Sequence, residues 1–406
     1  MRILLISSLY GVTGGGAGII AHHIANGLAL SGHQISVITI GRNPGYSLSE
    51  EQGTKVYRFQ PANLYLLEEK DQHPAWQKLI WQLLDIYNFH SANIIQKILA
   101  NETPDIVHIH KMRGFSGAVW SVASHLSPGR VIQTCHDYES MSPDGLLRGS
   151  IGKMALRQQW PVRGYQLIRS RLSRGVSVVT SPSTHTLMRI QNSGLFPFAQ
   201  SKVIANTHGW SESQLKFIHE KTNDISKGKI RFLFLGRLER EKGIVELCEA
   251  FLRAFESRPS VHLDIAGWGT LNSELVRKYG SYDTVTFLGV VNGRAKEEAL
   301  RNATIVIVPS LVEEVFGLTV IEAYAFGKPV IASNIGGLPE LVQDGETGWL
   351  VESGNITALK EQLKIAAETN PLVLEGMGQT CREYSYQFSV DKIIALYLDV
   401  YGSLTK

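Results

Sequence analysis

Two glutamates stand eight positions apart in the stretch EEVFGLTVIEA, residues 313–323. A helix is predicted to begin near Gly317, which puts Glu314 before the helix and Glu322 a little over one turn inside it. The apolar stripe predicted for its buried side is Leu318, Ile321 and Ala325. Because Glu322 points the same way as Leu318, its ionised carboxylate costs several kcal/mol unless a basic side chain or a bound ligand neutralises it.

Three interpretations of this glutamate pair are open from the residues alone. A carboxylate accepts hydrogen bonds from two hydroxyls, which is how proteins commonly hold the vicinal diol of a sugar. A catalytic acid and base, as in glycoside hydrolysis, is the second interpretation. The third is a structural glutamate that an internal arginine neutralises.

Two cations follow the strand that opens the second half of the chain. In GRLEREKG, residues 236–243, Arg237 and Lys242 lie in a predicted strand-to-helix turn that starts at Gly236. Such cations, together with the N–H groups of a helix end, can neutralise a diphosphate and accelerate its departure as a leaving group. An ordinary basic loop is the alternative.

A glycine-rich turn, GVTGGGAG at residues 11–18, follows the first strand. Gly14, Gly15 and Gly16 let backbone N–H groups approach a phosphate or a sugar carboxylate, and the next helix directs its positive end to the same place. The spacing differs from the dinucleotide fingerprint and no acid follows the second strand, which argues against a nicotinamide-dependent oxidoreductase. A purely structural turn is the alternative.

Strands alternate with helices in both halves of the chain, which predicts two doubly wound α/β domains with parallel sheets. The predicted strands are Arg2–Ser8, Ile35–Ile40, Ile106–Ile109, Val131–Thr134, Val176–Thr180, Lys202–Ile204, Ile230–Leu235, Val261–Ala266, Val285–Leu288, Ile305–Val308 and Pro329–Ala332. The region between about Gly41 and Asn101 is predicted to mix helix with irregular chain. We place the first domain at residues 1–205, a polar linker at 206–228 and the second domain at 229–385. A last helix within 386–406 is predicted to cross back to the first domain. Ligands bind beyond the carboxyl ends of such strands, so we expect a site in the cleft between the domains.

The composition is that of an ordinary globular protein, with 406 residues, 44% hydrophobic and 19% charged, and a net charge of +3. It gives no reason to expect a nucleic-acid partner. Between Asp144 and Glu212 there are basic residues but no acidic one. For segment 148–202 this predicts either peripheral contact with an anionic membrane or a solvated basic face.

Three scattered cysteines, Cys135, Cys248 and Cys381, are too few for a disulfide framework or a zinc site, which fits a reducing cytoplasm. The opening MRILLISS lacks the pattern of a signal peptide, and no run of about 18 apolar residues occurs. We therefore expect a cytoplasmic location, either soluble or peripheral at the inner face of the membrane.

Over essentially its whole length the sequence resembles the family 4 glycosyltransferases, which have the two-domain GT-B fold. The motifs that carry the resemblance are Gly14–Gly16, SGHQISVIT (31–39), PDIVHIH (104–110), CHD (135–137), GRLEREKG (236–243), IAGWG (265–269), FLGVV (287–291), VPSLVEEVFGLTVIEA (308–323) and GKPVIASNIGGLPE (327–340). The glutamate pair around Phe316-Gly317-Leu318 is the most specific of them. The family's usual Asn-Gly-hydrophobic-Asp is NTHG here, at residues 206–209, and the loop SMSPDG at 140–145 is expected to serve the acceptor.

The resemblance implies that Glu314 holds hydroxyls of the donor sugar and that Glu322 binds the ribose of the nucleotide. The implied catalytic residues are His136, Arg237, Lys242 and Glu314. The implied donor-binding residues are Gly15, Gly16, Gly236, Arg237, Lys242, Gly267, Val290, Glu314, Phe316, Gly317, Leu318 and Glu322, and the expected acceptor contacts are His110, Tyr138 and Asp144. The first domain is then the acceptor-binding domain and the second the nucleotide-sugar-binding domain.

The implied reaction moves a hexosyl group from a nucleotide sugar, UDP-glucose in the first instance, to a glycan or lipid-linked acceptor in polysaccharide biosynthesis, with retention of anomeric configuration. No Asp-x-Asp motif is present, and because Arg237, Lys242 and helix ends can replace a metal, no metal or other cofactor is expected. The alternatives are a nucleotide-sugar 2-epimerase and a non-catalytic nucleotide-sugar-binding protein of the same fold.

Overall fold

The computed structural model describes residues 1–11, 15–43, 45–67, 69, 73–142, 156–220, 229–256 and 258–405, with backbone only for residues 156–161. The chain divides into two units. Unit 1 is Met1–Gly209 together with Ile393–Lys406, and unit 2 is Trp210–Lys392. None of the helices in the described ranges combines the length and the apolar character that crossing a membrane requires.

Unit 1 is built on one eight-stranded sheet with helices between most of its strands. Its strands are β1 Arg2–Ser7, β2 Gln34–Ile40, β3 Ser47–Glu51, β4 Thr54–Phe59, β5 Ile106–Lys111, β6 Val131–Thr134, β7 Val178–Ser181 and β8 Gln200–Val203. Its helices are α1 Gly15–Leu30, α2 Ala75–Leu84, α3 Phe89–Glu102, α4 Ala118–Leu126, α5 Leu156–Leu172 and α6 Thr184–Asn192. The strand order is β3-β4-β2-β1-β5-β6-β7-β8, and the continuous apolar run of β1 is buried because helices cover a parallel sheet.

The β3–β4 hairpin is the main departure from the predicted elements of unit 1. β3 pairs antiparallel with β4 at the edge of the sheet, in a region predicted to be helix and irregular chain. Its sequence, SLSEE, is polar and mostly exposed, so it has none of the apolar alternation from which strands are recognised. Charged, exposed residues are what natural sheets place on an edge strand.

Unit 2 contains a six-stranded sheet that is parallel throughout. Its strands are β9 Ile230–Leu235, β10 Val261–Ala266, β11 Val285–Gly289, β12 Ile305–Val308, β13 Val330–Ser333 and β14 Gly348–Val351. Its helices are α7 Glu212–Glu220, α8 Ile244–Phe255, α9 Asn272–Tyr279, α10 Gly293–Asn302, α11 Leu318–Ala325, α12 Ile356–Glu368 and α13 Pro371–Ser385. In the order β11-β10-β9-β12-β13-β14, β10 and β11 lie on one side of β9, and β12, β13 and β14 lie on the other. The connections therefore change side between β9 and β12, and this is the topological switch point, where α/β sheets bind ligands.

Two helices lie in the predicted linker and in the predicted C-terminal segment. Helix α7 occupies part of the predicted linker 206–228 and buries Leu215 and Ile218, so this stretch is more ordered than its polar composition indicates. The last helix, α14 Val390–Leu404, contributes most of its length to unit 1. There the Tyr401 hydroxyl lies 2.7 Å from His108 Nδ1, in the fully buried core beneath β5.

Candidate active site

The predicted donor motifs of unit 2 lie at one edge of its sheet. GRLEREKG follows β9, Gly267 follows β10, Val290 follows β11, and the segment with Glu314 follows β12. These four strands are neighbours and run parallel, so their carboxyl ends meet along the same edge. The sheet topology therefore brings the motifs together at the switch point.

The centre of this group is an ion pair between Lys242 and Glu314. Lys242 Nζ donates to Glu314 Oε1 at 2.6 Å, and Ser310 Oγ donates to the same oxygen at 2.6 Å. The side chains of the pair are 24% and 18% exposed, so solvent reaches both only partly. Burial alone would raise the pKa of Glu314, but Lys242, Ser310 and the charge of Arg237 together lower it below its ordinary value. The carboxylate is therefore ionised at neutral pH.

Close backbone packing holds the two halves of this pair. Gly243, next to Lys242, has φ +68°, and a Cβ there would lie 1.9 Å from the Pro309 carbonyl oxygen. Gly336, with φ +64°, would place a Cβ 2.4 Å from the Glu314 carbonyl oxygen. That same oxygen accepts a hydrogen bond of 2.7 Å from the N–H of Gly337. Only glycine fits at either position. This explains the glycine directly after Lys242 and the glycine that begins GGLPE, residues 336–340, next to the Glu314 backbone.

Arg237 lies at the same edge but is more exposed. Its side chain is 63% exposed, and its guanidinium pairs with Glu241 one turn away at 3.2 Å. The charge of Arg237 nevertheless reaches Glu314, whose pKa it lowers. Arg237 is thus an exposed cation near the partly buried Lys242, and it can move without loss of packing.

Glu322 is neutralised by a lysine that the sequence did not indicate. Lys296, on α10, donates to Glu322 Oε1 at 2.8 Å, and the two side chains are 24% and 13% exposed. The prediction that Leu318 and Glu322 share a buried stripe is wrong, since both are only half-buried. Helix α11 is instead buried through Val320, Ile321, Ala323, Tyr324 and Ala325. Glu322 therefore lies on a side of α11 that is less buried than the side formed by these five residues.

Lys296 and Ser310 are the two contacts missed by sequence reasoning. Lys296 belongs to the charged run GRAKEEALRN, which has several cations, and the sequence alone does not distinguish Lys296 from the others. Ser310 could have been suspected, because it follows β12 directly and strand ends at a switch point carry ligand contacts.

The remaining predicted donor residues of unit 2 divide by which of their groups are accessible. Val290 is 64% exposed, whereas Phe316 is 4% exposed and packs edge-on against Phe388. The burial of Phe316 does not agree with a side-chain contact to the donor. The N–H groups of Gly236 and Gly267 already donate within the sheet edge, to Ala266 at 3.0 Å and Gly289 at 2.7 Å. Gly317 caps α11, and its carbonyl oxygen accepts a hydrogen bond of 3.0 Å from the N–H of Val320. The N–H groups of Leu318 and Thr319, which come before it, have no acceptor within the helix.

Unit 1 presents its own group of predicted residues. Gly15 and Gly16 are exposed at the start of α1, and Gly14 lies outside the described residues. Imidazole rings of His110 and His136 stack with centroids 5.2 Å apart, and His110 Nδ1 lies 2.8 Å from His136 Nε2. Burial lowers the pKa of His136 to about 4 and that of His110 well below its ordinary value. Both rings are neutral at pH 7, so they act by hydrogen bonding and not as charged acids.

A buried ionic cluster backs this histidine pair. Lys111 Nζ pairs with Asp137 and, at 2.9 Å, with Glu139 Oε2, while Glu139 Oε1 accepts from the N–H of Met112 at 2.9 Å. The Lys111 side chain is 9% exposed. Removing one partner from such a cluster leaves an uncompensated buried charge. The cluster therefore fixes the loop that carries His136.

Two of the three expected acceptor contacts, Tyr138 and His110, are buried. Tyr138 is 2% exposed and its hydroxyl lies 3.3 Å from Thr186 Oγ1, which makes it part of the core of unit 1. Asp144 lies outside the described residues. His110 is likewise buried, behind His136. Among the described residues, none of the side chains predicted to contact the acceptor is exposed.

Comparison with known proteins agrees with this geometry. Residues 216–387 match the family described as Glycosyl transferases group 1, and residues 15–207 match the Glycosyl transferase 4-like domain. The chain is 27% identical over 342 residues to an uncharacterized 42.6 kDa protein in the cps region of Klebsiella pneumoniae, covering 84% of this chain and 87% of that protein. It is 27% identical over 397 residues to the glycogen synthase of Mycobacterium tuberculosis, covering 94% and 90%.

Solved structures share the architecture. The Anabaena protein HepE in complex with UDP and glucose superposes with a TM-score of 0.70 at 18% identity, over 99% of this chain and 100% of that chain. The two sheets, parallel except for the edge strand β3, together with this similarity define the GT-B fold. The chain therefore belongs to the group 1, family 4 glycosyltransferases, and it is a retaining enzyme that uses a nucleotide-sugar donor.

Proposed function

We propose that this enzyme transfers a hexosyl group from UDP-glucose to a glycan or a lipid-linked saccharide in polysaccharide biosynthesis. The observation that carries the proposal is the Lys242–Glu314 pair at the switch point of the unit 2 sheet, with Arg237 beside it. It supplies cations for a diphosphate and a carboxylate for sugar hydroxyls within one hydrogen bond of each other. HepE, which has a similar fold, was solved with UDP and glucose, and this supports the choice of donor.

In this proposal Lys242 and Arg237 neutralise the diphosphate, and Glu314 accepts hydrogen bonds from the hexose. Glu322 uses Oε1 for Lys296, which leaves Oε2 for a ribose hydroxyl. In unit 2, the donor is lined by the backbone at Gly236, Gly267, Val290, Phe316, Gly317 and Leu318. We add Lys296 to the proposed donor-binding residues, because its ammonium donates a hydrogen bond to the Glu322 carboxylate.

The proposed chemistry is a front-face displacement. The bond between the anomeric carbon and the diphosphate oxygen breaks while the acceptor oxygen bonds to the same face of that carbon. The acceptor hydroxyl proton passes to the departing diphosphate, whose negative charge Lys242 and Arg237 stabilise. In unit 1, His136 is proposed to act as a neutral hydrogen-bonding group, in keeping with its lowered pKa of about 4.

A donor panel followed by product analysis tests this function. Thermal shifts with UDP-, GDP- and ADP-hexoses identify the donor, and we expect UDP-glucose to stabilise the protein most. Incubation with acceptor saccharides should then release UDP and give a product whose anomeric coupling in NMR matches that of the donor. An inverted linkage would refute the front-face mechanism. Altered donor stereochemistry without acceptor would indicate the 2-epimerase, and binding without turnover the non-catalytic protein.

We further propose that unit 1 contacts an anionic membrane surface at the inner face of the membrane. In segment 148–202, Arg163, Arg171 and Arg174 are exposed along one face of α5 and the turn after it. Arg169 is an exception: it is buried, pairs with Asp85 at 3.5 Å and lies over the Trp120 ring. Residues 148–155 lie outside the described residues.

Helix α2 supports this membrane face. Its outward side exposes Trp76, Leu79, Ile80 and Leu83, of which Trp76 is 61% exposed. Asp85, directly after α2, is the partner of Arg169 on α5, so the two helices are neighbours. Sedimentation with phosphatidylglycerol vesicles should exceed that with phosphatidylcholine alone, and Leu79→Glu should abolish it. Leu372→Glu on α13 in unit 2 is the control, because Leu372 is 75% exposed and Leu79 is 59% exposed.

A further inference from the structure

A cavity of about 1680 Å³ lies at the amino-end edge of the unit 2 sheet. Its lining includes Lys229 and Arg231 at the start of β9, Thr304 before β12, and Lys328 before β13. The donor motifs follow the carboxyl ends of the same strands, so these four residues lie at the opposite edge of the sheet, and the lining extends from there to Leu288 and Val291 at the carboxyl end of β11. Nothing in the proposed transfer reaction uses it.

The cavity has more basic than acidic side chains in its lining. Most of the acids are already neutralised: Asp264 pairs with Arg231 at 2.9 Å, and Glu368 pairs with Arg258 at 2.9 Å. Glu298 pairs with Arg294, which lies outside the lining. Besides Lys229, three lining cations lie outside these pairs, namely Arg301, Lys328 and Arg382, and Glu375 is the fourth acid of the lining.

Lys328 is the buried member of these three. It is 7% exposed, and its ammonium donates to the Arg301 carbonyl oxygen at 2.9 Å, at the carboxyl end of α10. A lysine ammonium has three donors, and this bond uses one of them. Burial and the charges of Arg382 and Arg301 lower the pKa of Lys328 to about 8. Like charges therefore act on one another across this cavity.

Arg382 lies beside Lys328. Its guanidinium packs on the backbone of Gly327, where a Cβ would come within 2.4 Å of Nη1. Throughout the described residues, neither Lys328 nor Arg382 forms an ion pair with a carboxylate. A planar guanidinium and an ammonium close to each other are the donors that a phosphate oxygen cluster prefers.

We propose that Lys328 and Arg382 form a binding site for a phosphoryl group, remote from the donor site. A dianion there relieves the repulsion between the cations and supplies acceptors for the two remaining ammonium donors of Lys328. Inorganic phosphate and the phosphate ester of a small metabolite share this chemistry. The proposal does not depend on the identity of the donor or of the acceptor.

Calorimetric titration of the full-length chain with inorganic phosphate, against chloride at equal ionic strength, tests the site. Arg382→Gln should weaken phosphate binding about tenfold, as expected for one charge-assisted hydrogen bond. Arg253→Gln, which removes an exposed arginine outside the cavity, should bind as the wild type does. Lys242→Met should also retain binding, which separates this site from the donor site.

Two results would overturn the proposal. One is phosphate binding no stronger than chloride binding, and the other is binding that Lys242→Met abolishes and Arg382→Gln leaves intact. Because Lys328→Met can destabilise the fold, Lys328→Arg is the second variant, and it should retain the site. A parallel titration with glucose 6-phosphate distinguishes the sources: tighter binding of the ester indicates a metabolite, and equal or weaker binding indicates free phosphate.

Discussion

Lys242→Ala gives the most direct test of the active-site assignment. In the proposed mechanism Lys242 stabilises charge that develops only as the diphosphate departs, so kcat should fall about 10²–10³-fold, with a smaller change in the KM for the donor. The assay is the initial rate of UDP release with saturating acceptor and varied UDP-glucose. Lys278→Ala, at an exposed lysine of unit 2 that also lies near a glutamate, is the matched control and should leave kcat unchanged.

The structure also sets the cost to stability. The Lys242 and Glu314 side chains are 24% and 18% exposed, between a surface pair worth about 0–1 kcal/mol and a buried pair worth about 3–5 kcal/mol when one partner is removed. We therefore expect Lys242→Ala to lower the free energy of unfolding by about 1–2 kcal/mol. The double variant Lys242→Ala/Glu314→Gln should recover part of this loss in urea unfolding, because no uncompensated charge remains.

The same variants have a defined pH dependence. Since the folded protein lowers the pKa of Glu314, the carboxylate adds stability above its unfolded pKa of about 4.5 and loses it as the pH falls through the folded value. Glu314→Gln should flatten this acid arm of the stability curve. If Lys242→Ala retains wild-type kcat while losing stability, the lysine serves only to neutralise Glu314, and its assignment to the diphosphate is refuted.

Three further predictions concern single positions. Glu322→Ala should weaken UDP binding about tenfold by calorimetry, and an affinity within twofold of the wild type would remove Glu322 from the ribose site. Gly243→Ala should lower the free energy of unfolding by about 2–4 kcal/mol in urea titrations, because both the positive φ and the Pro309 oxygen at 1.9 Å oppose a Cβ, and an unchanged midpoint would contradict this. Arg169→Met should cost about 3–5 kcal/mol by the same measurement, with partial recovery in Arg169→Met/Asp85→Asn; no recovery would show that Asp85 is not the group left uncompensated.

The regular elements were predictable because their residues repeat at fixed spacings. Ile230–Leu235, Val261–Ala266 and Ile305–Val308 have the bounds that their apolar runs predict, and their parallel pairing follows from the helices between them. The hairpin of β3 and β4 was missed because an exposed edge strand has no apolar face to repeat. The strand order that makes β9 and β12 neighbours is likewise a property of the whole sheet and not of either strand.

Side-chain environment was harder to predict than backbone. Lys242 and Glu314 were both recognised, but their direct contact across 72 positions depends on close packing at Gly243 and Gly336. The partner of Glu322 was not predictable, since Lys296 is one of several cations on α10 and the sequence does not indicate which of them contacts α11. Phe316 shows the opposite limit: its motif indicates a ligand contact, whereas burial decides that only its backbone can make one.

The tie between Tyr401 and His108 has a consequence for biosynthesis. Unit 2 is one uninterrupted stretch of chain, but unit 1 needs residues 393–406, nearly 400 positions after its first strand. On a ribosome, the segment that begins first must wait for helix α14 before the hydroxyls of Tyr397 and Tyr401 can fill its core. The unit translated second is thus free to complete its folding first, while the earlier one keeps an open core until α14 emerges.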